Sequence, residues 1–400
     1  MRSIVRSTLI AVCGVLFAAA AFPQVVQVGK DMSLTFKGFI SATAFAQDQN
    51  FGFGNGQNAE YPIPGETQKD RWFGGGDVRN TRLTMVFDGP KVAGDWKAGA
   101  TLEMDFFGGF NGTGAFSGQQ PNPRLRLAFV DFTNGSTTIR TGQFWSPLFA
   151  NTAVSLSHLA FPLGWGSAGD IGWRFPGIFV YQKLTPKDAP VNADLQFAVQ
   201  SGSWNAPGST IDFGTAGNAS WPQFELRLNV GGTSGSATWS GYVVGHVDQK
   251  DLSGAGVSAP HDKLTGSAVE IGAKFQVGPV LLQGNGYAGR AIGQQFGAIT
   301  QFGKIQSKGG WVQLGFDLTK NWGVFGFWGI DDPRDSDVLA AIKKDARLKN
   351  VMYAGLVRWK AGPFALGLEY LHSDLTSMTA DSPRIQTEGQ QLALSALFTF

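Results

Sequence analysis

From Trp96 to Phe107 the chain alternates: Trp96, Ala98, Ala100, Leu102, Met104 and Phe106 share one parity, and Lys97, Gly99, Thr101, Glu103 and Asp105 share the other. A strand sends successive side chains to opposite faces, so this segment offers one face to an apolar medium and one to water. The same period of two recurs in Leu34, Phe36, Ile40 and Ala42, in Leu195, Phe197 and Val199, and in Phe224, Leu226, Leu228 and Val230. It returns in Val269, Ile271, Ala273 and Phe275, and in Val312, Leu314, Phe316 and Leu318. Periodicity alone suits a soluble sandwich as well as a membrane wall.

The links between strands separate the two. Short ones (88–95, 133–136, 231–235, 277–279, 319–321, 361–363) alternate with long ones (48–78, 108–122, 146–172, 202–220, 249–263, 331–349). Tight turns at one rim and long loops at the other mark an outer-membrane barrel, with the turns in the periplasm. A compact soluble domain rarely carries so many long loops. The predicted strands are 33–47, 79–88, 96–107, 123–133, 137–145, 173–185, 191–201, 221–230, 236–248, 264–276, 280–289, 308–318, 322–330, 350–360, 364–373 and 388–400. This is an all-β fold, a sixteen-stranded antiparallel transmembrane β-barrel, with an even strand count as in bacterial single-chain barrels. Residues 336–347 read as a short helix capping a surface loop.

Composition agrees. Charged residues make up 16% of the chain, against roughly 25% in an average soluble domain. Aromatic residues reach 12% and glycine 55 of 400 positions, yet mean hydropathy is only −0.05. Helical membrane proteins need runs of about 20 apolar residues, and none occurs beyond the N-terminus. Disorder is excluded by 43% hydrophobic content at near-zero net charge.

At the N-terminus Arg2 and Arg6 precede an apolar run from Leu9 to Phe17 and four alanines, the layout of a secretory signal peptide over 1–21, leaving 22–400 as one barrel domain. Val12 precedes the single cysteine, Cys13, where a lipoprotein site would carry a small residue, so no lipidation is expected. The mature chain then has no thiol chemistry. Without Arg2 and Arg6 the 32 basic residues fall to 30, against 30 acidic ones, so only the placement of charge can be informative. The last strand puts Leu392, Leu394, Ala396, Phe398 and Phe400 on one face, and a closing phenylalanine, Phe400 with Phe398 before it, resembles the signal read by the outer-membrane assembly machinery.

Sixteen strands enclose a wet lumen, so inward residues decide what passes. Arg124 and Arg126 are expected to point inward while Leu125 and Leu127 face lipid. Arg82 and Arg140 share the inward parity, and Arg174, just beyond the long loop, is a further candidate for the constriction. Glu103 and Asp105 project between the arginines, and such a pair would set a transverse field at a constriction that favours anions. The segment 146–172 is the candidate pore loop, because Pro147, Leu148, Phe149, Leu159, Phe161, Pro162 and Trp165 make it too apolar to lie free on a cell surface. Trp72, Phe73, Trp145, Trp173, Trp311, Trp322, Trp328, Tyr353, Trp359 and Tyr370 are expected in the interfacial girdles, or in part against a sister subunit.

The runs Arg79-Asn80-Thr81-Arg82-Leu83, Glu103 to Gly109, Arg124-Leu125-Arg126-Leu127-Ala128-Phe129 and Thr141 to Ser146 resemble the DcaP-like trimeric porins, as does Gly367-Leu368-Glu369-Tyr370-Leu371 with the closing strand. The resemblance implies a sixteen-stranded trimeric diffusion channel whose inward arginines favour small anions such as dicarboxylates. It departs in one respect: members often carry a long helical coiled coil before the barrel, and here only about ten residues follow Ala21, so trimer formation would rest on the barrel walls.

Rival chemistries find little support. Gly284, Gly286 and Gly289 match GxGxxG but sit within a strand and open no helix. The four histidines, His158, His246, His261 and His372, show no metal spacing, and no G-x-S-x-G nucleophile motif is present. Asp331, Asp332, Asp335 and Asp337 lack the spacing of an EF-hand, so a solvated acidic loop is expected there. The expectation is a non-enzymatic, cofactor-free and metal-free porin of the bacterial outer membrane, passively admitting small anionic solutes. Its neighbours would be lipid and lipopolysaccharide, the assembly machinery and two sister subunits, with no nucleic acid. The alternatives are a specific uptake channel for dicarboxylate, phosphate or sugar, and a non-transport barrel acting as adhesin or hydrolase.

Overall fold

The structure is a computed structural model that describes residues 24–64, 71–110, 117–186, 188–202, 219–251, 263–342, 345–378 and 384–400. The expected leader, with Cys13, lies outside the described residues. Eighteen strand segments form one sheet. They are β1 (Gln24–Gly29), β2 (Met32–Gln47), β3 (Phe73–Asp77), β4 (Arg82–Ala93), β5 (Trp96–Asp105), β6 (Arg124–Asn134), β7 (Thr137–Trp145), β8 (Arg174–Lys183) and β9 (Val191–Gln200). They continue with β10 (Gln223–Ser234), β11 (Ala237–Asp251), β12 (Lys263–Val277), β13 (Val280–Arg290), β14 (Gln306–Asp317), β15 (Trp322–Pro333), β16 (Ala346–Ala361), β17 (Phe364–Met378) and β18 (Ile385–Thr399). Because β3 and β4 both pair with β2 they occupy one wall position, and the barrel from β2 to β18 has sixteen antiparallel strands.

Closure is made where β18 meets β2, from Gln391 opposite Gln47 to Thr399 opposite Phe39. The Phe400 and Gly38 backbones then exchange two bonds of 3.0 Å. The remaining segment, β1, was not foreseen as a strand. It pairs with β2 from Gln24 opposite Phe36 to Gly29 opposite Met32, on the edge that β18 has vacated. Its Val25-Val26 pair breaks the alternation on which the strand reading relied, although β-branched residues favour extended backbone.

All sixteen predicted strands are present, several longer than expected. At the tight rim Gly94, Gly135, Gly235, Gly278 and Gly362 adopt φ between +51° and +60° in two-residue hairpins such as Asn134 to Thr137. Only glycine or asparagine takes this left-handed conformation cheaply, and it matches the twist of the flanking strands. The alternation is realised on the wall: Val312, Leu314 and Phe316 are 41%, 57% and 41% exposed, whereas Trp311 and Gln313 are buried. A helix forms over Asp335–Ala341, shorter than expected, because Ala346 and Arg347 already belong to β16. The four aspartates beside it disperse: Asp331 accepts from the Tyr287 hydroxyl, Asp332 pairs with Lys308, Asp335 with Arg384, and Asp337 accepts from the Gln306 amide. GxGxxG lies within β13.

Among the described residues three loops, rather than the single expected one, fold into the barrel. Besides 146–172, the segments 48–64 and 291–305 bury Phe51, Ala59 and Glu60, and Ile292, Ala298, Ile299 and Ile305. Apolar and glutamine-rich, 291–305 meets the criterion that singled out 146–172. The loops meet at Trp165, which is fully buried, stacks on Phe296 at 4.1 Å and on Trp173 at 4.8 Å, and donates its indole N–H to the Gly172 carbonyl at 2.8 Å. Phe53 joins the cluster 6.1 Å from Phe296.

Candidate functional site

The path of 146–172 is set by inward polar side chains of the wall. The Leu148 amide donates to Glu225 on β10 at 3.0 Å, and the Thr152 carbonyl accepts from Gln283 on β13 at 3.1 Å. Gln313 on β14 clasps Val154, accepting from its amide at 2.7 Å and donating to its carbonyl at 2.9 Å. Glu369 on β17 accepts from the hydroxyls of Ser155 and Ser157. Past that point Asn80 donates to the Ser157 carbonyl at 2.6 Å and accepts from the Ala160 amide at 2.9 Å, and Arg82 donates to the Leu159 carbonyl at 2.9 Å. The chain then returns through the lumen and touches β14, where a Cβ on Gly169 (φ +90°) would fall 2.2 Å from the Gly310 nitrogen. His158 ties two loops together, its Nε2 donating to the Ala59 carbonyl at 2.9 Å. Sequence reading missed these amide and carboxylate anchors, although their inward parity on alternating strands was a usable signal.

Opposite lies a wall of arginines. Arg124 makes a forked pair with Asp105, Nε to Oδ1 at 3.0 Å and Nη2 to Oδ2 at 2.7 Å. Arg126 bridges Glu103 and Asp105, each at 2.8 Å. Arg82 lies 3.8 Å from Glu103, and Arg79 makes a forked pair with Asp77 at 2.9 and 2.7 Å. Arg174 extends over the rings of Trp145 at 4.8 Å and Trp173 at 4.4 Å. Its Nε and Nη1 are buried with no hydrogen-bond partner among the described residues. Five guanidiniums therefore face three carboxylates. A buried donor without a partner is costly, and an anion is the natural acceptor.

A bulge in β6 assembles this cluster. Met104 stands opposite Leu125, but Glu103 stands opposite Leu127, so Arg126 is an extra residue. Bulges re-aim side chains. Here Arg124, Arg126 and Leu127 all turn inward: Leu125 is 51% exposed as expected, whereas Leu127 is buried and does not face lipid.

The expected transverse field takes a different form. Glu103 and Asp105 lie on the arginine wall and bond the arginines directly, because neighbouring strands are only about 4.8 Å apart. Acidic groups across the lumen come instead from β10 to β17. Arg140 is set apart as well. It makes a forked pair with Asp131, both bonds 2.8 Å, five residues down β6 from Arg126 or about 16 Å of strand rise. Its guanidinium is wedged between Phe129 at 3.8 Å and Phe144 at 3.9 Å. Among the expected girdle aromatics, Trp145 and Trp173 join the lumen cluster and Trp311 is buried, as its parity opposite to Val312 requires. Trp72, Trp322, Trp328, Tyr353 and Tyr370 are exposed on the outside.

The outer-membrane channel DcaP of Acinetobacter baumannii superposes with a TM-score of 0.70 at 18% identity, over 96% of this chain and all of that one. The chain has the porin fold. An anion-selective porin from Comamonas acidovorans shares this porin fold at a TM-score of 0.58 and 14% identity, over 92% of this chain and all of its own. OmpT of Vibrio cholerae, in its trimer form, matches at 0.55 and 10% identity, over 93% of this chain and all of its own. No protein-family model matches the chain, and no curated protein matches it.

Proposed function

We propose that this barrel is a porin of the bacterial outer membrane through which small hydrophilic, preferentially anionic solutes diffuse passively, with no catalytic role. The observation that carries the reading is the excess of guanidiniums over carboxylates among Arg79, Arg82, Arg124, Arg126 and Arg174, together with the unpartnered donors of Arg174. Fixed cations in a low-dielectric wall raise the local concentration of anions and select them. In this reading residues 1–21 direct export, the closing strand with Phe398 and Phe400 is read by the assembly machinery, and the protein works as a homotrimer among lipid and lipopolysaccharide. The trimer form of the Vibrio OmpT supports that assembly.

Reversal potentials in planar bilayers under a salt gradient test the reading: anion preference is expected, and cation preference or absence of conductance would overturn it. The double change Arg124→Ala with Arg126→Ala should move the reversal potential toward cations, and an unmoved potential would remove these residues from the selective path. A specific uptake channel is the second reading, favoured by the aromatic rings of Phe107 and Phe161 beside Arg124, at 5.4 and 5.1 Å. Saturable block of the current by one solute would distinguish it.

A further inference from the structure

The loop 146–172 divides the inward arginines into two groups, and the second has a chamber of its own. On the short-turn side of the loop a cavity of about 560 Å³ is lined by Asp131, Arg140, Phe144, Trp145, Ser146, Phe149, Tyr181 and Arg227, among others. Two of its lining groups are cationic and one anionic. Arg140 commits Nε and Nη2 to Asp131, hydrogen-bonds the Tyr181 side chain and is clamped between two rings, so its position is fixed. Arg227 commits Nε to Asn229 and Nη1 to the Pro147 carbonyl at 3.3 Å, and lies 4.4 Å over Tyr242. Arginine carries five N–H donors, so both side chains retain donors beyond these bonds. Ser146 is 1% exposed and its Oγ has no partner among the described residues, a buried hydroxyl at the cavity wall that calls for one. The apolar part of the lining is aromatic: Trp145 and Phe149 stack at 3.9 Å with 17° between their planes, and Phe144 and Tyr181 complete it.

We propose that this chamber is a binding station for planar aromatic monocarboxylates, separate from the arginine cluster at the other end of Trp145. The carboxylate is taken by the guanidiniums of Arg140 and Arg227 with the Ser146 hydroxyl, and the ring lies against the Phe149, Phe144 and Tyr181 side chains. Forked guanidinium donors match a carboxylate's two oxygens, and aromatic walls favour a flat ring over a puckered one of equal carbon count. The inference rests on the channel reading and adds a ligand class and a place to it.

The test is side-specific block of single-channel current by benzoate, with cyclohexanecarboxylate as the non-planar control. Benzoate added on the short-turn side should block saturably, at a concentration at least several-fold below that of cyclohexanecarboxylate. Arg227→Gln should raise the half-blocking concentration of benzoate about tenfold, as the loss of one charged contact implies. Arg227→Lys should recover part of that loss, because it returns the charge without the fork. Tyr181→Ala should erase the preference for the flat ring. Lys91→Gln, at the exposed end of β4, should change nothing, and heat-modifiable migration on gels checks that each variant has folded. A cation-preferring or silent wild-type channel would overturn the porin reading itself. An anion-preferring channel that benzoate does not block saturably, or that blocks equally in Arg227→Gln, would overturn the binding station alone.

Discussion

The walls β3–β8 and β10–β17 both place carboxylates inward, and they use them in opposite ways. On the first, Asp77, Glu103, Asp105 and Asp131 bind arginine side chains and hold them toward the lumen. On the second, Glu225, Asp331 and Glu369 accept from backbone N–H and hydroxyl groups of the loops, Leu148, Ile299 and Ser155 among them. Each of these three acids is at most 2% exposed. The first wall sets charge and the second sets geometry. A carboxylate in a lumen is thus not by itself a sign of cation preference, because its consequence depends on which donor it meets.

The comparison breaks most visibly at Glu369. Glu369→Ala removes the acceptor of two buried hydroxyl bonds, each worth about 1.5–3 kcal/mol when the partner is charged. Losing about 3 kcal/mol would shift the docking equilibrium of the loop about a hundredfold. Conductance should rise severalfold, with noise from a mobile loop, while anion preference falls as the lumen widens. Wild-type conductance in this variant would mean that the second wall does not hold the loop.

Asp105 is the matching probe of the first wall. Arg126, 2% exposed, would be left with Glu103 alone, and Arg124 would lose its forked partner. Breaking a buried pair from one side costs about 3–5 kcal/mol, so Asp105→Ala should lower the temperature of heat-induced unfolding in detergent by several degrees. Asp105→Asn, which keeps the volume, should unfold at a temperature nearer the wild type and increase anion preference. If neither variant alters the reversal potential, the arginines do not face the permeation path.

How far each wall could be read from the sequence follows the same division. The alternation at Val312, Leu314 and Phe316 and the glycine turns are local properties, so strand number and order were legible. The inward parity of Arg82, Arg124 and Arg126 was legible for the same reason. The bulge at Arg126 was not, because it is set by the pairing of β6 with β5, which no single segment encodes. The position of Glu103 and Asp105 between the arginines was legible from strand adjacency, but their direct pairing with Arg124 and Arg126 in place of a field across the lumen was not. The apolar content of 146–172 announced a buried loop, and 291–305, with Ile292, Phe296 and Ile299, carried the same signal unread. The separation of Arg140 from Arg126 followed from counting residues along β6 and β7, once their register was known.

A third probe uses pH. Within the docked loops Glu60 and Asp170 are fully enclosed, and burial raises both carboxyls well above their ordinary range, with the Glu270 charge adding to the effect on Asp170. Both Asp170 oxygens lack a partner among the described residues. A carboxyl raised in the docked state stays neutral there and ionises in the free loop. Docking is therefore fully favoured below the ordinary carboxylate range, about pH 4, and weakens as pH rises toward the docked value. Openings with released-loop conductance should become more frequent between acidic and neutral pH, and Asp170→Asn should flatten that dependence. A wild-type channel with pH-independent openings would show that these acids do not control docking.

The smallest effect is expected at the backbone of 291–305, the other loop held by the second wall. Ala291, Phe296, Ala298, Ile299 and Thr300 all adopt φ between +51° and +67°. A β-branched residue in the left-handed region costs of order 1–3 kcal/mol and persists only when its surroundings impose it. Here the imposing contacts are identifiable: the Ile299 amide donates to Asp331 at 3.2 Å, and Gln301 donates to the Arg347 carbonyl at 2.6 Å. Thr300 is the position where relief costs least, since its side chain is only part-buried and its hydroxyl bonds a neighbouring carbonyl, that of Ile299, at 2.7 Å. Thr300→Gly should therefore stabilise the docked loop by up to about 1 kcal/mol, after the entropy glycine adds to the free loop is subtracted. Slower amide exchange across 292–301 at unchanged reversal potential would show it. Faster exchange would mean that the threonine contacts outweigh the strain, and that this wall holds its loops by side chains alone.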